Sequence, residues 1–507
     1  MKHGFFRPRL LAAAAIVAAT VVAVTACSSN ATTATPTASA KAGGTVTVAG
    51  PYSTDSLDPH GTASAAAGTA LSSESIFARL VKPTTTGKII GDLATKWTPN
   101  TDATQWKFTL RKDAEFSDGS KLTAADVVGS FNRAIRLAGP VAGNFAGDTI
   151  SSDSTYEVTI TAKLPTPALL GALTLLYITK GDASDASFQT APLAEGPYEV
   201  QSFTPSQTLV LVPNPHYFGK KPVIKQLILR NIPDVTARLT ALQTGEVQAT
   251  WGIPDDQVSA LQSNTDITTA TVPSTVVTTM WFNSSRPALS TSAVRNAIWE
   301  AVDFKTIIKS LYPNTGSLAN STVATNILGY SAEAAKKFDP KAAKAALVKA
   351  GFDFSQPLQI QYSDGQYTQF IQAIASDLQK VGVTAVPTLK DSATFLKDLL
   401  ALNWDINFQA LGTPTFDAAT NLGRLYTCAA KRTGYCNPAL DTVLADAGST
   451  SDVANRKADY AKANKIIWDD AVGMYPMNLK IAYAWSKKLK GFTPDPSFLP
   501  NLATVSY

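Results

Sequence analysis

Cysteine and histidine are scarce, with three of each in 507 residues. Three cysteines exclude a disulfide-dense scaffold, and three histidines leave little room for a histidine-rich metal centre. Charged residues make up only 16 % of the chain, and 44 basic against 39 acidic side chains give a formal charge of +5. That balance carries no footprint for nucleic-acid binding. After the first 26 residues no apolar run reaches the roughly 18–20 residues of a membrane-spanning helix. The sequence also lacks G-x-S-x-G, H-E-x-x-H, C-x-x-C and G-x-x-x-x-G-K, so the common nucleophile, zinc, redox and phosphate motifs are missing. What is present is a hydrophobic content of 45 %, enough for real cores. A chain of this length is expected to divide into two or more lobes.

Residues 1–26 carry Lys2, Arg7 and Arg9 and no acid, followed by the 15-residue apolar run Leu10–Val24. This is the shape of a secretory signal peptide. Val24-Thr25-Ala26-Cys27 resembles a bacterial lipobox, in which the cysteine receives lipid. The alternative is an ordinary signal peptide ending near a cysteine. Cleavage before Cys27 takes the formal +5 to +2. Residues 27–44 then read as a lipidated cysteine and a small, polar, flexible tether.

The body alternates strand and helix patterns. Residues 43–50 form a β-branched run. Trp106, Phe108 and Leu110 alternate onto one face of a strand. Thr123 opens a helix with Asp126 three residues on, a capping box, and Val127, Phe131, Ala134 and Ile135 form its stripe. Ser292 caps a second helix. Asp339-Pro340 opens a third, with Ala343, Ala346, Leu347 and Ala350 inward and Gly351 as its stop. His60 and His216 each sit beside a proline in turn-like runs and read as structural. Cys428 and Cys436 are eight positions apart. Outside the cytoplasm such a pair forms a disulfide or stays as two reactive thiols.

Several runs carry a resemblance. They begin with Leu57-Asp58-Pro59, then Leu93-Ala94, Trp97, Leu110-Arg111, Asp118-Gly119 and Thr123-Ala124-Ala125-Asp126-Val127. Gly196-Pro197-Tyr198, Asn214-Pro215-His216-Tyr217-Phe218-Gly219 and Leu242-Gln243-Thr244-Gly245-Glu246-Val247 follow in order. Phe282-Asn283, Val294-Arg295-Asn296-Ala297, Asp339-Pro340 and Gly434-Tyr435-Cys436-Asn437-Pro438 complete the series. In this pattern the chain resembles the family 5 extracellular solute-binding proteins, the oligopeptide, dipeptide and nickel class that feeds ATP-binding-cassette importers.

The resemblance implies an α/β, two-lobed, periplasmic-binding-protein-like fold of the large cluster C type with an extra inserted subdomain. Residues 45–85, 195–272 and 473–507 would form lobe I, 86–194 the inserted subdomain and 273–472 lobe II. Hinge crossings would fall near Pro273–Asn283 and Met474–Leu479. The implied protein is no enzyme and needs no cofactor. It would be a monomeric, lipid-anchored receptor on the extracytoplasmic face of the cell membrane, in periplasmic or extracellular space. Its partners would be a peptide and the membrane permease and ATPase subunits. Oligosaccharide and nickel chelate are alternative ligands. A secreted cell-surface hydrolase, or a receptor signalling through a membrane partner, are alternative classes.

Peptide-binding members hold the peptide ammonium on a carboxylate in the loop before the first cysteine of the pair. Here that position falls near Pro414, and Asp417 either substitutes for it or caps the next helix. Tyr52, Trp281 and Gln409 are the further expected cleft contacts. Phe282 and Trp404 read as core packing.

Overall fold

The computed structural model describes residues 44–507. The expected signal peptide, Cys27 and all but the last residue of the tether lie outside the described residues. The first β-branched run forms strand Thr45–Ala49, which pairs in parallel with Gln226–Arg230 and Ala249–Trp251. A second parallel group joins Leu358–Tyr362 to Ala385–Leu389 and Ile406–Gly412. Two long antiparallel strands link these groups into one twelve-stranded sheet. Strand Ile267–Phe282 pairs with Met477–Ser486 along its first part and with Ile406–Gly412 along its second. Its register shifts between Pro273 and Val277. Proline cannot donate to the ladder, so a break falls naturally there.

Hydrophobic side chains segregate on either side of that break. One core, including Trp281, Phe370 and Trp468, surrounds the second parallel group. Around the first group, alternation along Met477–Ser486 sends Ile481 and Tyr483 into one core and Ala482 and Ala484 into another, as successive strand residues face opposite sides. A further core, with Phe108, Phe131 and Leu173, lies under a separate four-stranded sheet. The fold is therefore α/β and two-lobed, with an additional subdomain.

Local chemistry accounts for most element ends. Thr123 and Asp126 complete their capping box, the Thr123 amide donating to Asp126 Oδ2 at 2.9 Å. Asp339 Oδ1 accepts from the Ala342 amide at 3.0 Å and opens helix Pro340–Lys349. Gly351 stops the same helix at φ +70°, the left-handed region that suits glycine. Three expectations need correction. Thr291, not Ser292, caps helix Ser292–Glu300. Ile135 is exposed at the end of its helix. Ala346 and Ala350 face solvent, because Ala343 and Leu347 alone cover the core beneath that helix. Cys428 and Cys436 are joined in a disulfide with Cα atoms 4.4 Å apart, the first of the two alternatives.

Candidate functional site

Segments leaving the ends of Thr45–Ala49 and Ala249–Trp251 in one parallel group, and of Leu358–Tyr362 in the other, line a cavity of about 970 Å³. Such crevices outside the carboxyl ends of strands are where open α/β sheets take ligands. Pro51 and Tyr52 follow strand Thr45–Ala49, and Gly252 to Asp256 follow Ala249–Trp251. Asp364 to Gln369 follow Leu358–Tyr362 on the opposite wall. Val276 and Leu479 to Ala482 lie along the linking strands, and Ala410 on the neighbouring strand Ile406–Gly412.

Gly252 sits at φ +64°, and a Cβ there would come within 2.9 Å of Pro51 Cγ. This close approach fixes the segment carrying Tyr52. The Tyr52 ring is 46 % exposed and meets Phe498 edge-on, with centroids 6.2 Å apart. Burial, and then the Asp364 charge across the cavity, hold its hydroxyl above the ordinary value. Tyr312 is pushed up to about 12 by burial and then by Asp364 and Asp255.

Asp255 is itself tied down. Its carboxylate accepts from the amides of Asn314 and Thr315 at 2.9 and 2.6 Å, from Thr315 Oγ1 at 2.7 Å and from Asn314 Nδ2 at 3.0 Å. Asp256 and Asp364 bond only to neighbouring glutamines. Among the described residues no salt bridge involves Asp256, Asp364 or Lys480.

Of the residues expected from the sequence, Tyr52 lines the cavity and the other three do not. Sheet parity explains two of them. Val276, paired with Gly412, and Ala410, paired with Thr278, share one face. Gln409, paired with Thr279, and Trp281, paired with Asn407, occupy the opposite one. Trp281 is buried there, its Nε1 donating to Tyr426 Oη at 2.9 Å. The Gln409 Nε2 is buried without a hydrogen-bond partner. Asp417 is 7 % exposed. Its Oδ1 accepts from the Ala419 amide at 3.0 Å, capping the turn Ala418–Thr420, and from Arg456 at 2.8 Å. Asp417 here caps that turn, one of the two roles weighed for it, and also pairs with Arg456, a partner not expected from the sequence.

Asp256, Tyr312, Asp364, Tyr367 and Lys480 were missed. The available signal was positional: a short β run followed by Gly252-Ile253-Pro254, and another followed by Ser363-Asp364-Gly365, mark strand ends that face a crevice.

Neither described histidine lines the cavity. His216 Nδ1 lies 2.8 Å from Glu115. His60 is fully buried, with Nδ1 3.2 Å from Arg133 and Nε2 2.8 Å from the Tyr177 carbonyl. Arginine only donates, so Nδ1 accepts and Nε2 carries the proton. Burial, helped by the Arg133 charge, lowers the ring from 6.5 to about 4, against the pull of the Tyr177 carbonyl and Asp58. Between those values the unfolded chain binds a proton that the folded chain does not. Stability from this site is therefore full above pH 6.5 and lost as pH falls towards 4. Asp495, raised to about 6 mainly by burial, contributes the opposite slope, so comparison with His60→Gln isolates the histidine. Relative to that variant, the wild type is expected to lose about 3 kcal/mol between pH 7 and 4 by denaturant titration. Parallel curves for the two proteins would refute this account.

A two-lobed α/β fold with a crevice at the strand ends defines the binding-protein class. The description "Bacterial extracellular solute-binding proteins, family 5 Middle" matches residues 88–433, and the chain belongs to this family. It is a solute-binding protein of the ATP-binding-cassette importer type and not an enzyme. It is 28 % identical over 462 residues to the "Probable D,D-dipeptide-binding periplasmic protein DdpA" of Escherichia coli (strain K12), covering 85 % of this chain and 88 % of that one. Among solved structures, the ABC transporter substrate-binding protein CtaP of Listeria monocytogenes superposes with a TM-score of 0.83 at 21 % identity, covering 92 % and 99 % of the two chains. NikA of Staphylococcus aureus in complex with Ni(L-His)2 gives 0.74 at 20 % identity, covering 92 % and 100 %. At these identities the two structures establish the fold alone.

Proposed function

We propose that this chain is the lipid-anchored, extracytoplasmic receptor of an ATP-binding-cassette importer, and that it takes up peptides in the cavity between its lobes. The observation that carries this is the cavity itself. Its volume of about 970 Å³ lies at the upper end of the roughly 300–1,000 Å³ usual for small-molecule sites. Tyrosine faces and unpaired charges of both signs suit an extended zwitterion. The relative named for D,D-dipeptides supports the same class. Tyr52 is the residue of the original set that we assign to ligand contact.

Lobe I comprises residues 45–85, 195–272 and 473–507, the inserted subdomain 86–194, and lobe II 273–472. Closure pivots on the register break between Pro273 and Val277 and on the facing stretch of Met477–Ser486. Among the described residues no group of three or more His, Cys, Asp or Glu is placed to hold a metal ion. No described helix is long and apolar enough to cross a membrane; the attachment proposed is a lipid on Cys27 of the lipobox-like Val24-Thr25-Ala26-Cys27. The working form would be a monomer engaging two membrane subunits and two ATPases.

Native mass spectrometry of the mature protein, purified without denaturation, tests the ligand class. A retained mass that fragments into peptides is expected, and added di- to tetrapeptides should raise the unfolding midpoint. Ligand at 100 times Kd stabilises by about 2.7 kcal/mol. A retained sugar series or metal chelate, with no response to peptides, would overturn the peptide assignment and leave the receptor role. Intact-mass analysis of protein from the membrane fraction should show a diacylglyceryl addition at Cys27. An unlipidated mature chain would remove the anchor.

A further inference from the structure

The charges of the cavity point to a preference within the peptide class. Three carboxylates line it, from Asp255, Asp256 and Asp364, against one ammonium, from Lys480. Asp255 is satisfied by four donors from Asn314 and Thr315. Asp256 and Asp364 carry no cation, and they stand on segments from different lobes, at the carboxyl ends of Ala249–Trp251 and Leu358–Tyr362. A buried cation outside the lining, Arg238, acts on Tyr52; its guanidinium donates to Thr250 Oγ1 at 3.1 Å and to the carbonyls of Ile232, Pro233 and Gly252. It acts from behind the wall and offsets part of the negative charge at the Tyr52 end. The Asp364 charge reaches Tyr52, Tyr312 and Tyr367 alike, raising all three hydroxyls after burial itself. Its field therefore spans the cavity from wall to wall.

We infer that this receptor selects cationic peptides, with Asp364 and Asp256 receiving a lysine or arginine side chain from opposite walls and rejecting acidic side chains. The inference rests on the peptide reading of the same cavity. Closing the lobes around a ligand removes water, which strengthens the interaction of a charged side chain with these carboxylates. A glutamate in the same position meets two like charges that Lys480 and Arg238 offset only in part, three lining carboxylates standing against one lining ammonium.

The test is calorimetric titration of the mature protein with Ala-Lys-Ala, Ala-Ala-Ala and Ala-Glu-Ala at neutral pH and low salt. The lysine peptide is expected to bind at least about 10-fold more tightly than the glutamate peptide, a gap of about 1.4 kcal/mol. Raising salt to about 0.5 M should narrow the gap. Asp364→Asn and Asp256→Asn should each cut the Lys/Glu ratio by about 3-fold or more, with circular dichroism and a cooperative unfolding midpoint showing that each variant is folded. Equal binding of the charged peptides, preference for glutamate, or a ratio that neither variant moves would overturn the inference and leave the peptide receptor standing. Failure of all three peptides to bind would overturn the peptide reading itself and this preference with it.

Discussion

Replacing Arg456 with methionine is expected to destabilise the protein by about 3–5 kcal/mol, the usual cost of stranding one partner of a buried ion pair. The pair is Arg456 with Asp417, 2.8 Å apart, with side chains 5 % and 10 % exposed. The arginine also donates to the Ala447 carbonyl and lies 5.5 Å from the Tyr460 ring centroid. It holds helix Val453–Asp469 against the turn that follows strand Ile406–Gly412. Methionine keeps most of the stem volume but leaves the Asp417 carboxylate with only the Ala419 amide at Oδ1. Adding Asp417→Asn should recover part of the loss, because no buried charge then remains, and the double-mutant cycle measures the coupling by urea denaturation. An Arg456→Met variant within about 0.5 kcal/mol of wild type would mean that the pair is screened or open in solution. The same experiment separates the two roles weighed for Asp417. A buried structural anion gives a large stability change with little change in peptide affinity per folded molecule. A ligand anchor would give the reverse.

Much of the architecture was readable because it depends on local rules. Alternation placed Trp106, Phe108 and Leu110 inward, and all three are buried. Caps and stops marked Thr123, Asp339 and Gly351 because unpaired helix-end amides and carbonyls need a partner or a left-handed residue. The cavity followed no such rule. Tyr52, Asp256, Tyr312, Asp364 and Lys480 are far apart in sequence and meet only through the order of strands in the sheet. Residue type was also a poor guide. Trp281 and Gln409 stand on a linking strand and its neighbour, yet a one-residue step decides which face each takes, and both face away from the cavity. A single apolar or amide residue on a strand buried on both faces leaves no record of that parity. Asp417 was ambiguous for a different reason: a carboxylate before a helical turn caps it as readily as it binds an ammonium.

Asp255→Ala is expected to lower stability by about 3 kcal/mol and to weaken peptide binding by about 10-fold. Asp255 belongs to helix Asp255–Gln262, whose Val258 and Leu261 pack in the core with Ala482 and Ala484. Its partners Asn314 and Thr315 follow helix Phe304–Leu311, whose Ile307 and Ile308 pack in the core of the other lobe. One carboxylate, 9 % exposed, therefore ties the two lobes together beside the cavity. Thr315 passes the connection on, since its carbonyl accepts from the Lys480 amide at 2.7 Å on the linking strand. Hydrogen bonds to a charged acceptor are each worth about 1.5–3 kcal/mol. Water entering from the cavity would satisfy some of the abandoned donors, which keeps the total well below four times that range. Asparagine at the same place retains one acceptor oxygen but turns a donor towards the remaining N–H groups, so Asp255→Asn should cost roughly half as much as alanine. The effect on binding follows from position: Thr315 and Asp256 both line the cavity, and loosening the tie lets its two walls separate. A fraction of molecules then occupies geometries that cannot contact ligand from both sides, and apparent affinity falls by that fraction. Urea denaturation and calorimetry on the same preparations check both effects. Asp255→Ala with normal stability and normal affinity would show that the lobes are held at this distance by the linking strands alone.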